Sequence, residues 1–271
     1  MTKAGVWYLV LLDMSKELNT RQNVLLGTVA AFIEGVIVQP TLYWKNARAH
    51  GLQFTLNPRI LYRGTGAAVF NEMQCMALQF GMTAYIQKNS GRTGDLGGAI
   101  AGGMLTAMIA APIELVMIQQ QLHGGTLVST PSKIIKSYGF GVKGLMRAFT
   151  VTVWRDAIYV GSMLGVTPLL QTYFEEEHKQ SMALASVNAS LIGGILAAVP
   201  SHPFDIVKTC MQGDLDQKLY TSARSTVATM YHQGGIMRFF NGCIWRSLNI
   251  VMTVYIANEC KNHFSGYFKR L

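Results

Sequence analysis

Three long, weakly charged segments of this chain each contain a proline in a similar setting, and this repetition constrains the fold most strongly. The prolines are Pro40, Pro112 and Pro203, in the stretches QPTL, APIE and HPFD. The residues nine and thirteen positions before them are all small: Ala31, Gly103, Gly194, Gly27, Ala99 and Ser190. Small residues four apart share one helix face, which lets neighbouring membrane helices approach closely. The pattern therefore predicts three related helical units, each kinked at its proline.

The apolar runs at 22–40, 96–118 and 181–200 are each near the length that crosses a hydrocarbon core of about 30 Å. Charged residues make up 14% of the chain, against about 25% in soluble domains. More amphipathic runs follow at 65–87, 148–174 and 243–260. Polar groups on such helices are expected to line a cavity or a helix interface. The sequence therefore predicts an all-α membrane protein with six transmembrane helices.

The basic residues outnumber the acidic ones by 23 − 14 = 9, which suits either nucleic acid or an anionic membrane. The low charge density favours the membrane, so no nucleic-acid partner is predicted. Segments 41–63 and 119–147 are basic and contain no acid, whereas Glu175, Glu176 and Glu177 lie in the connection at 175–180. This asymmetry predicts that the two basic segments face the inner compartment.

Enzymatic and metal-binding classes find no support in the sequence. Cys75, Cys210, Cys243 and Cys260 are widely spaced and predict free thiols rather than a zinc site. The stretch GFGVKG at 139–144 matches a glycine-rich nucleotide pattern, but no acidic residue follows about 20 positions later. We therefore expect no catalytic residue, no metal and no cofactor.

The third unit carries the pattern P-x-[DE]-x-x-[KR], with Pro203, Asp205 and Lys208. Related tripeptides open each following span: Tyr62-Arg63-Gly64, Met146-Arg147-Ala148 and Phe240-Asn241-Gly242. With these motifs the chain resembles the mitochondrial carrier family from about Arg21 to Phe264. The resemblance implies six tilted helices around a pseudo-threefold axis, in the mitochondrial inner membrane, with short helices on the matrix side. The basic segments would face the matrix, and both termini the intermembrane space.

The resemblance also divides the chain into an N-terminal extension, 1–20, and three carrier repeats at 21–90, 91–180 and 181–271. The first repeat has a shortened matrix segment, with 23 residues from Pro40 to Arg63. The corresponding distances are 35 residues from Pro112 to Arg147 and 38 from Pro203 to Asn241. Cardiolipin and other membrane lipids are expected partners on the same grounds.

In the family, an acid of one odd-numbered helix pairs with a base of the next and closes the matrix side. By position, the pairs here are Glu114 with Lys208, Asp205 with Lys45, and Leu42 with Met117. The third pair has lost both charges together, which is tolerable because an unpaired buried charge is far more costly than an apolar contact. The same charges can also simply fix the register of the helices. On the opposite side, Glu259 is the remnant of a second gate.

Family contact positions in the central cavity fall on Asn71, Glu72, Arg155, Asp156 and Arg246. Arginine forks a carboxylate and an acid accepts an ammonium group, so this set suits a small anionic or zwitterionic solute. A mutual ion pair between Arg155 and Asp156 is the alternative. Glu34, an acid within a predicted span, is a further candidate.

Two functions remain open from the sequence. The first is transport of a small carboxylate or amino acid by alternating access. The second is a structural subunit of a larger inner-membrane, respiratory-chain complex that no longer transports. The incomplete second gate, the shortened first repeat and a partner-docking role for 1–20 favour the latter.

Overall fold

A computed structural model describes residues 29, 31–75, 96–162, 166–253 and 256. These residues form helices and turns, without a β-strand among them, in agreement with the predicted helical class. The first half contains α1 (31–37), α2 (Gln39–Ala49), α3 (Pro58–Leu61), α4 (65–75), α5 (Leu96–His123) and α6 (Ser129–Tyr138). The second half contains α7 (Phe149–Gly161), α8 (Thr167–Glu176), α9 (Met182–Gly213), α10 (Ala223–Gly234), a 3₁₀ turn (Ile236–Phe240) and α11 (243–253). The extension 1–20 and Glu259 lie outside the described residues.

The three repeated prolines lie within long helical segments. Pro112 is inside α5 and Pro203 is inside α9, while a bend at Val38 separates α1 from α2 just before Pro40. Backbone hydrogen bonds continue on both sides of that bend, from Val38 N–H to Glu34 O and from Leu42 N–H to Val38 O. The helices α2, α5 and α9 contact one another, so the three proline segments come together in space.

Within the described part of the chain, Met104–His123 and Val187–Gly213 are long and apolar enough to cross a membrane, judged by length and composition. Two described helices lie in the amphipathic run predicted at 148–174, namely α7 and α8, and residues 163–165 between them are outside the described part of the chain. Pro168 lies at the first positions of α8, where its missing N–H leaves no helical hydrogen bond unmade. Helix α7 packs against α5 and α9, and α8 packs against α9.

A left-handed backbone residue opens each of α4, α7 and α11. Its φ is +79° at Gly64, +60° at Ala148 and +86° at Gly242. A Cβ on Gly64 would lie 3.0 Å from Met117 O, and one on Gly242 would lie 3.1 Å from Lys45 O. Met117 and Lys45 occupy the same position of the repeat, five residues after its proline. The same close approach therefore occurs at two equivalent positions of the sequence pattern.

Replacing Gly242 with alanine is expected to lower the free energy of unfolding by about 1–2 kcal/mol, because L-residues disfavour positive φ, and by more through contact with Lys45 O. Gly51→Ala is the matched control, since Gly51 has φ +70° and its Cβ would have no atom within 4 Å. Thermal unfolding in detergent checks this. Equal losses of unfolding free energy in the two variants would show that the close contact with Lys45 O does not contribute to the destabilisation.

Candidate functional site

Charged side chains from five helices meet in the protein interior. We refer to this group as the polar cluster; it comprises Lys45, Glu114, Arg155, Asp156, Asp205, Lys208 and Arg246, each at most 3% exposed. Lys45 lies on α2 and Glu114 on α5. Helix α7 contributes Arg155 and Asp156, and α9 contributes Asp205 and Lys208. Arg246 lies on α11. Buried charges persist in proteins when they are paired and hydrogen-bonded, and each of these has an opposite charge nearby.

Two close ion pairs connect the proline-bearing helices. Lys45 Nζ lies 2.7 Å from Asp205 Oδ2, which joins α2 to α9. Lys208 Nζ lies 2.7 Å from Glu114 Oε2, which joins α5 to α9. Asp205 and Lys208 are three residues apart on α9 and therefore face the same side, with 3.8 Å between their charged atoms. These are the pairings that the carrier pattern implies; their gating role stays a prediction.

The third position of the pattern is apolar. Leu42 and Met117 are 5% and 6% exposed and belong to one buried apolar cluster. The same cluster includes Ala67 and Ala68 of α4 and Leu115 of α5. Packing against small side chains and aliphatic neighbours stabilises this position without any charge.

Arg155 has contacts that the sequence did not indicate. Its two terminal nitrogens fork the carboxylate of Glu114, at 2.9 Å and 3.2 Å. Nη2 also lies 2.6 Å from Asp156 Oδ1, and Nη1 lies 3.4 Å from Asp205 Oδ1. The mutual pair with Asp156 is therefore present, and Arg155 contacts both predicted gate acids as well.

Arg246 contacts the same carboxylate oxygen of Asp205 as Lys45 does. Its Nη1 is 3.3 Å from Asp205 Oδ2, and its Nη2 donates to Ser201 Oγ at 2.7 Å. The guanidinium carbon stands 5.7 Å from the centre of the Tyr159 ring, a cation–π distance. Within the described residues, neither Arg246 Nε nor the Tyr159 hydroxyl has a hydrogen-bond partner. Both groups are buried, so each is a polar group left without a hydrogen bond from the described residues in this conformation.

Sequence reasoning missed Ser201 and Tyr159. Tyr159 follows Arg155 by four residues on α7, so helical spacing alone places both on one face. Ser201 also donates to Ala197 O and Ala198 O. A serine two residues before a proline has no distinctive sequence signal. Only the packing of α11 against α9 brings Ser201 to Arg246.

The remaining cavity candidates are also buried. Asn71 and Glu72 of α4 are 3% and 4% exposed, and Asn71 Oδ1 accepts a hydrogen bond from Gln74 at 3.1 Å. Glu34 of α1 is fully buried and accepts from the Thr253 hydroxyl at 2.5 Å. Asn249 donates to Thr41 at 2.9 Å, which ties α11 to α2 beside this bond.

Side-chain amides form a second polar layer along the same helices. Gln119 Nε2 donates to Gln212 O at 2.7 Å, and Asn46 Nδ2 donates to Gln121 Oε1 at 2.6 Å. Arg147, two residues before α7, donates from Nε to Met211 O at 2.6 Å. These bonds connect α2, α5 and α9 towards their C-terminal ends, so ion pairs alone do not hold the three helices together.

No group of metal-binding side chains occurs among the described residues. Cys75 and Cys210 are buried free thiols, and Cys243 is a partly buried one. Cys210 Sγ donates to Ala49 O at 3.4 Å, across the contact between α9 and α2.

His50, just after α2, packs against the end of α9; a Cβ on Gly213 would lie 2.0 Å from its Cε1. Burial and the nearby positive charge of Arg238 lower the pKa of His50 to about 4. The folded protein therefore binds fewer protons than the unfolded chain between that value and about 6.5.

Acidification from pH 7 to pH 4.5 is accordingly expected to cost about 2–3 kcal/mol of stability through His50, because the unfolded chain gains a proton that the buried ring does not accept. His50→Gln, which cannot titrate, should show a shallower fall in thermal stability over the same range. Parallel curves for both proteins would contradict the assignment.

The second and third predicted repeats match a known protein family. The sequence profile of the family described as "Mitochondrial carrier protein" matches residues 90–178 and 179–270. Together these segments cover more than half of the 271 residues.

Several curated proteins are similar to the chain. The mitochondrial 2-oxodicarboxylate carrier of Homo sapiens is 27% identical over 170 residues, covering 54% of this chain and 53% of that protein. The mitochondrial glycine transporter of Saccharomyces cerevisiae is 27% identical over 207 residues, covering 68% and 67%. A probable mitochondrial 2-oxodicarboxylate carrier of Dictyostelium discoideum is 21% identical over 260 residues, covering 91% and 82%. The chain spans 53% to 58% of the length of the first mammalian relatives it matches.

Proposed function

Because this chain belongs to the mitochondrial carrier family, we propose that it transports a small carboxylate or amino acid across the mitochondrial inner membrane by alternating access. Members of this family are transporters and not enzymes. The observation that carries the proposal is the buried polar cluster, where ion pairs connect the three proline-bearing helices. A transporter must close one side of its cavity reversibly, and the cluster lies where α2, α5 and α9 meet.

Six spans in three repeats are part of the proposal. Two features support it: the mutual contacts of α2, α5 and α9, and the left-handed residue that recurs at the start of α4, α7 and α11. With the basic segments 41–63 and 119–147 on the matrix side, the polar cluster forms the matrix gate and both termini face the intermembrane space. Glu259 then belongs to the opposite gate.

These ion pairs can break and re-form during transport because a buried pair contributes little net stabilisation to the closed state. The loss of hydration offsets much of the attraction between the charges, so an intact pair stabilises the closed state only modestly. Each pair separates when its two helices move apart and its groups regain hydration from the opened cavity. The Leu42–Met117 contact opens in the same way without breaking any charge pair.

The substrate class follows from the arginines. Arg246 presents a buried Nε without a hydrogen-bond partner among the described residues, beside the equally unpartnered Tyr159 hydroxyl. A carboxylate would satisfy both groups. The 2-oxodicarboxylates and glycine in the relatives' names share a carboxylate group. Asn71, Glu72 and Asp156 are the proposed contacts for the rest of the solute, including an ammonium group.

Membrane lipids, among them the cardiolipin expected from the family resemblance, are the proposed partners. The alternative role as a structural subunit of a respiratory-chain complex gains no support from the relatives, whose names describe carriers and transporters.

Uptake by reconstituted liposomes tests the function. With labelled 2-oxodicarboxylates, glycine and other amino acids offered in turn, we expect exchange above that of empty liposomes for at least one carboxylate-bearing solute. Arg246→Lys should fold, because it keeps the buried charge, but should lose most transport, because lysine cannot fork a carboxylate. Arg224→Lys, at an exposed site, is the control. Absence of uptake, with stable co-purification in a large complex, would favour the structural role instead.

A further inference from the structure

The contacts of Arg155 differ from those of a residue waiting for a substrate. We propose that Arg155 is a third charged link of the matrix gate, bridging Glu114 and Asp205, rather than a ready contact for the transported solute. The direction in which this gate opens rests on the proposed transport function; the bridge itself rests on contacts alone.

The bridge is seen in the distances from one nitrogen. Arg155 Nη1 lies 2.9 Å from Glu114 Oε1 and 3.4 Å from Asp205 Oδ1. These two carboxylates come from different helices, α5 and α9, and Arg155 comes from a third, α7. Nη2 completes the fork on Glu114, so the guanidinium is held in one orientation. A single side chain therefore connects the acids of both predicted gate pairs.

The charge arrangement explains why such a bridge is favourable here. Lys208 and Arg155 neutralise Glu114, while Lys45, Arg246 and Arg155 surround Asp205. At the third gate position, Leu42 and Met117 contribute only an apolar contact. The ion pairs of the repeat pattern thus join α2 to α9 and α5 to α9. Arg155 adds α7 to this network and doubles the electrostatic connection between α5 and α9.

Arg155 and Arg246 therefore have different roles. A carboxylate solute reaches Arg155 only by displacing Glu114 or Asp205, and this displacement weakens the closed gate. Arg246 Nε is buried and has no hydrogen-bond partner among the described residues, so a carboxylate that enters as the helices separate binds Arg246 without displacing a partner of that nitrogen. Arg155 is therefore a positioning residue for the gate. The solute releases Arg155 from Glu114 or Asp205 by competing with these acids for the guanidinium.

Cys210 provides a native reporter of gate opening. It is fully buried, and its thiol donates to Ala49 O between α9 and α2. It follows Asp205 on the same helix, so a separation of α2 from α9 that breaks the contacts of Asp205 also uncovers the thiol. With Cys75, Cys243 and Cys260 replaced by serine, separation of α2 from α9 exposes the Cys210 thiol to a water-soluble maleimide by removing the cover of Ala49. The measurement uses the full chain in detergent without solute, so it is independent of transport.

We expect Arg155→Gln to raise the rate of Cys210 labelling about tenfold or more, as for loss of a buried charged hydrogen bond. Lys208→Gln should raise the rate similarly, and Arg155→Lys, which keeps the charge without the fork, should raise it less. Arg224→Gln is the control and should leave the rate unchanged. A second series that retains Cys75 of α4 as its single thiol reports general loosening, and Arg155→Gln should raise its rate less than that of Cys210.

Unchanged Cys210 labelling in Arg155→Gln, alongside faster labelling in Lys208→Gln, would overturn the bridge. Equal acceleration at Cys75 and Cys210 would overturn it too, because the residue would then be only a structural brace. If the liposomes show no uptake, the proposed transport function is wrong. The labelling result for Arg155 does not depend on uptake and remains valid. If Arg155→Gln does not fold, the comparison of Arg155→Lys with the parent protein decides the question.

Discussion

Asp205→Asn is expected to lower the free energy of unfolding by about 3–5 kcal/mol, the range for breaking a buried ion pair by removing one partner. The reason is the crowding of positive charge around this carboxylate. Lys45 Nζ lies 2.7 Å from Oδ2, Arg246 Nη1 lies 3.3 Å from it, and Arg155 and Lys208 approach Oδ1 at 3.4 Å and 3.8 Å. Asparagine keeps the shape of aspartate but leaves these buried cations without one of their counter-charges.

Thermal or denaturant unfolding in detergent measures the loss. Asp216→Asn is the matched control, because Asp216 is half-exposed and its pair with Lys218 lies at the surface, where ion pairs contribute little. A loss for Asp205→Asn no larger than that of the control would contradict the central position of Asp205. Transport should be abolished in Asp205→Asn even at temperatures where the variant is folded.

The second large effect concerns Glu114 and Lys208. Lys208→Glu alone places two carboxylates side by side in a buried site, and we expect a loss of about 3–5 kcal/mol. Combination with Glu114→Lys restores the pair that now spans 2.7 Å. The recovery should be only partial, because the new lysine then faces the Arg155 guanidinium, which currently forks Glu114.

A double-mutant cycle tests this pairing, since residues in contact show interaction energies that separate sites do not. A cycle in which the two single losses simply add would refute the contact. Adding Arg155→Gln to the double variant should recover further stability, because it removes one of two like-charge contacts; the other is between the carboxylate introduced by Lys208→Glu and Asp205, whose Oδ1 now lies 3.8 Å from Lys208 Nζ. Complete recovery without that third change would show that Arg155 contributes nothing at Glu114.

The sequence indicated which positions would carry the charges, because those positions follow the repeated prolines at fixed spacing. Asp205 and Lys208 had to share one face of a helix, as residues three apart do. The resemblance to the carrier family then implied Lys45 and Glu114 as their partners on neighbouring helices. Leu42 and Met117 lacked charge together, so an apolar contact was the consistent expectation, and both are buried in one apolar cluster.

The role of Arg155 was not accessible in the same way. The sequence predicted for Arg155 either an ion pair with the neighbouring Asp156 or a solute contact in the cavity, and its position is compatible with both roles. Its reach to Glu114 and Asp205 depends on the packing of α7 against both α5 and α9, which no local pattern encodes.

By itself the sequence determined the helical class, the repeated proline pattern and the family, because helical spacing and repetition are local and periodic properties of a chain. Only the tertiary structure decided how the buried charges are shared. Coulomb attraction and hydrogen bonding depend on separations of a few ångströms between side chains far apart in sequence. The partner of each charge is therefore set by how α2, α5, α7, α9 and α11 pack, and Arg155 became a link between two acids through that packing.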